Sequence, residues 1–325
     1  MKTAFYSVSL IILTALAGIN TISAEPLRIV SYNVENLFHP KHDSVRMDSL
    51  WVEKDDWEWT AEGERRWSYT RYYRKVENIA RVLTNIGEWD GVDIVGFQEV
   101  ENAFCVKRLC RTLRSGEYDF VHYESPDIRG IDVALIYKKS RVDTIRTRAF
   151  SIDAFPTRDI LYVCAQVDKK DTLHLFVCHL PSRRGGAAES EWKRMAVKAV
   201  LQNAIDSVYT LHPQAKIVIM GDFNGEPKED LKGVRNRMIT SHNPSSRGEK
   251  SYGTHKYHGR WTCLDRFYTS PVLDSLSTVQ VYNAEWIQEP DEKYLGLRPK
   301  RTFNGYRYQK DGFSDHLPVV LTISL

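Results

Sequence analysis

Apolar residues fall along this chain in short runs, mostly continuous rather than alternating: Leu27 to Tyr32, Ile94 to Gln98, Val133 to Tyr137, Leu161 to Val167, Leu173 to Cys178, Ile217 to Gly221, Leu264 to Tyr268 and Pro318 to Ile323. Runs of this length rich in Val, Ile and aromatic residues predict strands, and their continuity predicts strands covered on both faces. Two stretches carry helical spacing instead. Val76, Ile79, Ala80, Leu83 and Ile86 mark one face of a helix, and Trp192, Met195, Ala196, Ala199 and Val200 mark another. Strands interleaved with helices predict an α/β layered domain. Three stretches, 39–69, 241–261 and 283–312, show neither period and read as long loops. No repeat, low-complexity tract or Pro/Gly/Ser linker divides the chain after residue 24, so residues 25–325 read as one domain.

Residues 1–24 have the pattern of a signal peptide: Lys2 precedes an apolar run from Val8 to Ala17, and Ile22, Ser23 and Ala24 offer a small residue for cleavage. That run is shorter than the roughly 20 residues that span a bilayer, and no cysteine follows it for lipid attachment. The expectation is an exported protein, periplasmic or secreted, with no stable membrane insertion, and a monomer. Loss of Lys2 with the leader leaves 44 basic against 42 acidic residues. A balance so close to neutral gives no electrostatic case for a polyanion partner. The five cysteines, Cys105, Cys110, Cys164, Cys178 and Cys263, are too scattered for a disulfide scaffold or a paired zinc cage. Cys164 and Cys178 lie in consecutive strands and read either as a disulfide or as two buried thiols.

Polar residues gather at the ends of the predicted strands. Asn33 and Glu35 follow the first, Gln98 and Glu99 the second, and His179 the fifth. Asp222 and Asn224 follow the sixth, while Asp315 and His316 precede the last. Any one of these reads equally as a turn or capping residue. Five strand ends with the same chemistry point instead to a shared site, because a sheet edge holds side chains rigidly while leaving them open to solvent. Carboxylate and amide oxygens without a cysteine or paired-histidine cage suit Mg²⁺ or Mn²⁺. Such ions assist phosphoryl chemistry by neutralising charge and orienting water.

The segments SYNVENL from Ser31, VGFQEVEN from Val95, HLPSRRGG from His179, GDFNGEP from Gly221, LDRFY from Leu264 and SDHLPV from Ser314 resemble the endonuclease/exonuclease/phosphatase superfamily, the DNase I-like proteins, over nearly the whole chain after residue 24. The resemblance implies a four-layer α/β sandwich, two central mixed β-sheets flanked by helices, with the strand-end residues meeting in one cleft. It implies Glu99 as principal metal ligand, assisted by Asp315 and Glu35. Asn33 would hold a water on the metal side or a phosphate oxygen. Asp222 would orient or deprotonate the attacking water beside Asn224, and His179 would donate to a phosphate oxygen. His316 would face the scissile phosphate with Asp265 behind its ring, an arrangement that raises an imidazole pKa. Arg158, in TRDILYV, matches a phosphate-binding arginine of the DNase branch, and Arg129, beside the strand that starts at Val133, is a further substrate contact.

The implied activity is a divalent-metal-dependent phosphoesterase acting on a phosphate-ester substrate. A nuclease-type phosphodiesterase leads, with nucleic acid as partner; a sphingomyelinase-like phospholipid hydrolase or a sugar- or inositol-phosphate hydrolase is the alternative, and a catalytically dead binding module the non-enzymatic one. Two loops bear on the choice. Arg247, Lys250, Lys256 and Arg260 interleave with Tyr252, His255, Tyr257 and His258, and Arg298, Lys300, Arg301, Arg307 and Lys310 with Phe303, Tyr306 and Tyr308. Such stretches either pair with phosphates and stack on bases or are solvated loops pinned by their aromatic rings. Trp51, Trp57, Trp59 and Trp67 pose the same alternative, stacking platform or local core.

Overall fold

A computed structural model describes residues 25–41, 63, 65–114, 116–183, 186, 188–225, 231–237 and 253–325. The proposed leader, Trp51, Trp57 and Trp59, and Arg247, Lys250 and Tyr252 lie outside the described residues. Two six-stranded sheets form the centre. The first runs β13 (Ser277–Val281), β18 (Val319–Ile323), β1 (Leu27–Leu37), β2 (Ile94–Val100), β4 (Asp132–Lys138) and β3 (Tyr118–His122). The second runs β5 (Val142–Phe150), β6 (Ile160–Val167), β7 (Asp171–His179), β8 (Lys216–Asp222), β12 (Asp265–Thr269) and β9 (Arg235–Arg237). Only β1 with β2 and β7 with β8 pair in parallel. Each of these central strands ends in residues of the predicted cleft, so the two parallel pairs deliver their carboxyl ends to the same side of the sandwich.

The continuity of the apolar runs has its cause in three cores. Ile29, Ile94, Leu135, Val163, Leu175, Val218, Phe267 and Leu321 fill the space between the sheets. Helices α1 (Tyr69–Gly87) and α2 (Ala103–Leu113) cover the outer face of the first sheet through Val76, Ile79, Leu83, Val106 and Leu109 against Val30, Val95 and Ile136. Helix α3 (Glu191–Leu211) covers the second through Val197, Leu201 and Ile205 against Phe176, Ile217 and Ile219. Helix α2, β3, β5 and β13 carry no expectation from the sequence. In β5 only Val142 is fully buried in VDTIRTRAF, as befits an edge strand. Gly96 of the first sheet faces Met220 of the second so closely that a Cβ there would lie 2.6 Å from the Met220 Sδ.

Cysteines 164 and 178 do not bridge. Cys164 lies opposite His174 on the ladder and Cys178 lies beyond the Leu161–Val177 pair, so the two stand several residues apart along neighbouring strands, and all five cysteines are free thiols. The stretch 283–312 is not an open loop: β14 (Gln288–Pro290) with β15 (Leu297–Pro299) and β16 (Phe303–Asn304) with β17 (Arg307–Tyr308) fold it into two small hairpins. A third, β10 (His255–Tyr257) with β11 (Arg260–Thr262), stands beside the last strand's entry.

His174, on β7 under the end of α3, shows the cost of burying an imidazole far from the cleft. Burial and the neighbouring His212 lower it from 6.5 to about 4, and its Nδ1 is 2.8 Å from the Tyr162 hydroxyl. Its folded pKa lies below its unfolded one, so the unfolded chain binds the extra proton and stability falls as pH drops from about 6.5 toward 4. The shift corresponds to at most about 3 kcal/mol. The thermal midpoint of the wild type should therefore fall further between pH 7.5 and 4.5 than that of His174→Gln, by several degrees at roughly 2–4 °C per kcal/mol. Parallel curves for the two proteins would contradict this account.

Candidate active site

Backbone irregularity, more than strand alternation, aims the side chains of the cleft. Strand β1 continues past Tyr32 to Leu37, carrying Asn33 and Glu35 inside it rather than after it, and its register with β2 shifts between Asn33 and Leu37. Glu35, Asn36 and Glu99 sit at φ of 53°, 57° and 65°, and Asn224 at 47°. Left-handed backbone at a non-glycine residue costs on the order of 1–3 kcal/mol and persists where the surroundings impose it. Here it marks bulges in β1 and β2 that turn Glu35 and Glu99 toward the same edge. Asn36, which the sequence did not single out, locks the pair of bulges: its N–H donates to Glu99 Oε2 at 3.0 Å and its Oδ1 accepts from Arg129 at 2.6 Å.

Asn33 joins the two sheets across the cleft. Its Nδ2 donates to Glu99 Oε1 at 3.4 Å and to Asp222 Oδ2 at 3.2 Å, while its Oδ1 accepts the Glu35 N–H. The Asn224 N–H holds the other Asp222 oxygen at 2.8 Å, and Asn224 Nδ2 donates to the Leu180 carbonyl. Behind His316, Asp265 Oδ2 lies 2.7 Å from Nδ1, and the opposite ring nitrogen is 3.8 Å from Asp222 Oδ2 and 3.9 Å from Asp315 Oδ1. Ser314 Oγ donates to the Asn33 carbonyl and accepts the His316 N–H, which ties the entry of β18 to β1. His179 stands between Glu99 and Asp222, its Nε2 at 3.8 and 3.7 Å from their oxygens.

Burial decides the charges. It opposes protonation of His316, but the Asp265 carboxylate in hydrogen-bond contact, with Asp222 and Asp315, holds this imidazole well above its ordinary value, so it is a cation at neutral pH. Burial with the charges of Arg158, Arg129 and His316 drives His179 well below its ordinary value, and burial with His316 lowers His255, whose ring centroid is 4.8 Å from that of His316, to about 4. Both are neutral. Burial and the nearby Asp265 push Asp222 up to about 7, and burial with Asp315 pushes Glu35 to about 7. Burial would also raise Asp315, yet Arg301, His316 and His255 hold it well below the usual carboxylate range.

Two further cations complete the cluster. Lys75 of α1 is buried, and its Nζ donates to the Glu35 carbonyl at 2.8 Å, to Thr302 Oγ1 and to the Phe313 carbonyl at 3.4 Å. Burial lowers it to about 8, against the fields of Glu35, Asp315 and Glu99, so it is charged at pH 7. Arg301 Nη2 donates to Asp315 Oδ2 at 2.6 Å, and its Nε lies 3.6 Å from Glu35 Oε1. Arg129 lies 3.9 Å from Glu99. Arg158, expected to grip phosphate, is buried with its fork on Asp127 Oδ2 and the Leu180 carbonyl, at 2.8 and 2.9 Å. Both terminal nitrogens serve the protein beneath His179.

Five carboxylates, Glu35, Glu99, Asp222, Asp265 and Asp315, thus face four cations, Lys75, Arg129, Arg301 and His316, an excess of one negative charge once Glu35 and Asp222 are both ionised. The excess and the hard-oxygen donors fit a single divalent cation, which would reverse the sign and suit the site to an anionic substrate. Groups of ligand-type atoms within 4.8 Å of one another are Asp222, Asp265 and His316, and His255, Asp315 and His316. Glu35 and Glu99 stand outside those groups, each beside an arginine.

Residues 28–325 match the Endonuclease/Exonuclease/phosphatase family. The chain belongs to that family. No curated protein matches it in sequence. Among solved structures, TDP2 from C. elegans aligns at a TM-score of 0.58 and 16% identity over 92% of this chain and 75% of that one. An endonuclease/exonuclease/phosphatase family protein from Bacteroides thetaiotaomicron aligns at 0.56 and 16%, over 92% and 98%, and the mannosyl-6-phosphatase of the same organism at 0.52 and 16%, over 91% and 99%. The likeness to solved structures establishes the DNase I-like sandwich, and membership of the family supports a metal-dependent phosphoesterase at family level.

Lys75 is the residue on which several segments of the site converge. Lys75→Met should leave the Glu35 carbonyl, Thr302 Oγ1 and the Phe313 carbonyl without their donor and raise the buried negative excess, destabilising the protein by roughly 3–5 kcal/mol. Chemical denaturation would measure it; a loss under about 1 kcal/mol would show that Lys75 does not hold these segments.

Proposed function

We propose that this protein is an exported, single-domain hydrolase, monomeric, that cleaves a compact phosphate ester with Mg²⁺ or Mn²⁺. The observation that carries the reading is the Asp265–His316–Asp222 arrangement, an imidazolium held by one carboxylate at 2.7 Å and facing a second at 3.8 Å whose pKa stands near 7. A base near neutrality beside a fixed cation suits proton removal from water and stabilisation of charge on a phosphoryl group. Glu99, Glu35 and Asp315 would hold the ion, which supplies Lewis acidity and charge neutralisation when bound. Asp222 orients the attacking water and takes its proton. Asn33 and Asn224 fix Asp222 in place. His316 and neutral His179 donate to phosphate oxygens, with Arg129 beside them and Arg158 bracing the loop that carries Leu180.

The rim favours a compact substrate over a nucleic-acid strand. Lys256 pairs with Asp291 at 3.2 Å, Arg298 with Glu289 at 2.8 Å and Lys300 with Asp311. Trp67, Phe303 and Tyr308 pack together under Arg65 and Arg71 rather than presenting open rings. The described part of these loops is therefore pinned through the paired cations and through Trp67, Phe303 and Tyr308, while Tyr257 and Tyr306 stay exposed. The similarity to a mannosyl-6-phosphatase accords with this choice. Residues 25–325 should be incubated with Mg²⁺ or Mn²⁺ and hexose phosphates, inositol phosphates, sphingomyelin, plasmid DNA and RNA. The expected result is phosphate release from a small ester, abolished by EDTA and reduced at least 10²-fold in Asp222→Ala and His316→Ala with folding intact. Cleavage of nucleic acid alone would replace this reading with the nuclease one; metal binding without turnover of anything would favour a binding module.

A further inference from the structure

Arg301 occupies a place that the hydrolytic steps do not explain. Its guanidinium bridges Asp315 and Glu35, two of the carboxylates proposed above to hold the ion. Its backbone is fixed: the next N–H, of Thr302, donates to Glu35 Oε2 at 2.6 Å, and the Arg301 carbonyl lies so close to Gly312 that a Cβ there would come within 2.2 Å of it. Only the side chain is free to move, and it is 36% exposed against 11% for Glu35 and 24% for Asp315. A guanidinium donates and cannot ligate, so it and a divalent ion compete for the same carboxylate lone pairs.

We propose that Arg301 is a displaceable occupant of the metal site and, once displaced, the clamp for the substrate's phosphate. In the metal-free protein it neutralises Glu35 and Asp315. Glu35 and Asp315 would then hold a divalent ion, and the released fork would turn to two oxygens of a phosphate group, the geometry for which a guanidinium is suited and an ammonium is not. The one further carboxylate whose field reaches Arg301 among the described residues, Glu289, is already held by Arg298 through Nε at 2.9 Å and Nη2 at 2.8 Å. With Glu289 already held, the substrate's anion is a partner for a displaced Arg301.

This inference rests on the metal-dependent reading above, and the test separates the two. Mn²⁺ binding to metal-free wild type, Arg301→Met and Arg301→Lys is measured by calorimetry, followed by binding of inorganic phosphate to each Mn²⁺-loaded protein. Arg301→Met should bind Mn²⁺ about tenfold tighter and phosphate about tenfold more weakly, a reciprocal change that a merely structural arginine would not produce. Arg301→Lys, which keeps the charge, should fold even where the methionine variant does not, and should lose phosphate affinity while changing Mn²⁺ affinity less. Unchanged or weaker Mn²⁺ binding by Arg301→Met, or unchanged phosphate binding by either variant, overturns the proposal. Absence of Mn²⁺ binding by the wild type overturns the metal-dependent reading itself.

Discussion

Burial of like charge at one edge of a sandwich is the constraint around which this structure is arranged. Glu35, Asp222 and Asp265 are all less than a tenth exposed, and burial pushes the carboxyls of Glu35 and Asp222 upward against the cations and N–H donors packed among them. The balance is deliberately incomplete in effect. It leaves Asp222 near neutrality, where a carboxyl can exchange protons with water, and it keeps His316 charged. Further cations would drive Asp222 down into an inert carboxylate; fewer would leave the cluster too costly to bury.

The fold supplies the rigidity that such a cluster needs. Glu35 and Glu99 reach the cleft only through left-handed bulges, and these are stable because the parallel pair β1 and β2 has both faces covered and no room to relax. Gly221, at φ of 148°, has the same role on β8: a Cβ would fall 1.9 Å from the Cys178 carbonyl, so glycine alone lets β7 and β8 close up and set His179 opposite Asp222. Strain at the site is thus met by packing several residues away, and Lys75 carries it across from α1 to the segments around Thr302 and Phe313.

Much of this was legible in the sequence, for a physical reason. Continuous apolar runs fit strands with cover on both sides, and a polar residue at the end of such a run points to the edge; Asn33, Glu99, His179, Asp222, Asp315 and His316 meet there, and Asp265, which only the family resemblance brought in, lies behind His316. What stayed hidden depends on partners distant in the chain. Lys75 falls on the apolar face of α1, in phase with Tyr72, Ile79 and Val82, and a cation in that stripe is the signal that a buried anion awaits it. Arg158 read as a phosphate-binding arginine because Asp127, its partner, lies 31 residues away. Arg301 was one basic residue among five until the hairpins set Arg298 and Lys300 on acids and left it over Asp315.

The division between what is shared and what is particular follows the same line. At 16% identity to TDP2 from C. elegans the sheets still superpose, because layered cores accept many apolar sequences of similar volume and pattern. The edge residues are harder to vary, since each is one term in a charge balance that the others must match. The rim is under neither restraint: its hairpins need only stay pinned, and any surface cation can be silenced by an acid across the turn, as Glu289, Asp291 and Asp311 do here. Substrate choice is therefore written less in which cations the rim possesses than in which of them it leaves unpaired, and of the arginines and lysines in the described hairpins beside β18, Arg301 is the one whose partners belong to the catalytic cluster.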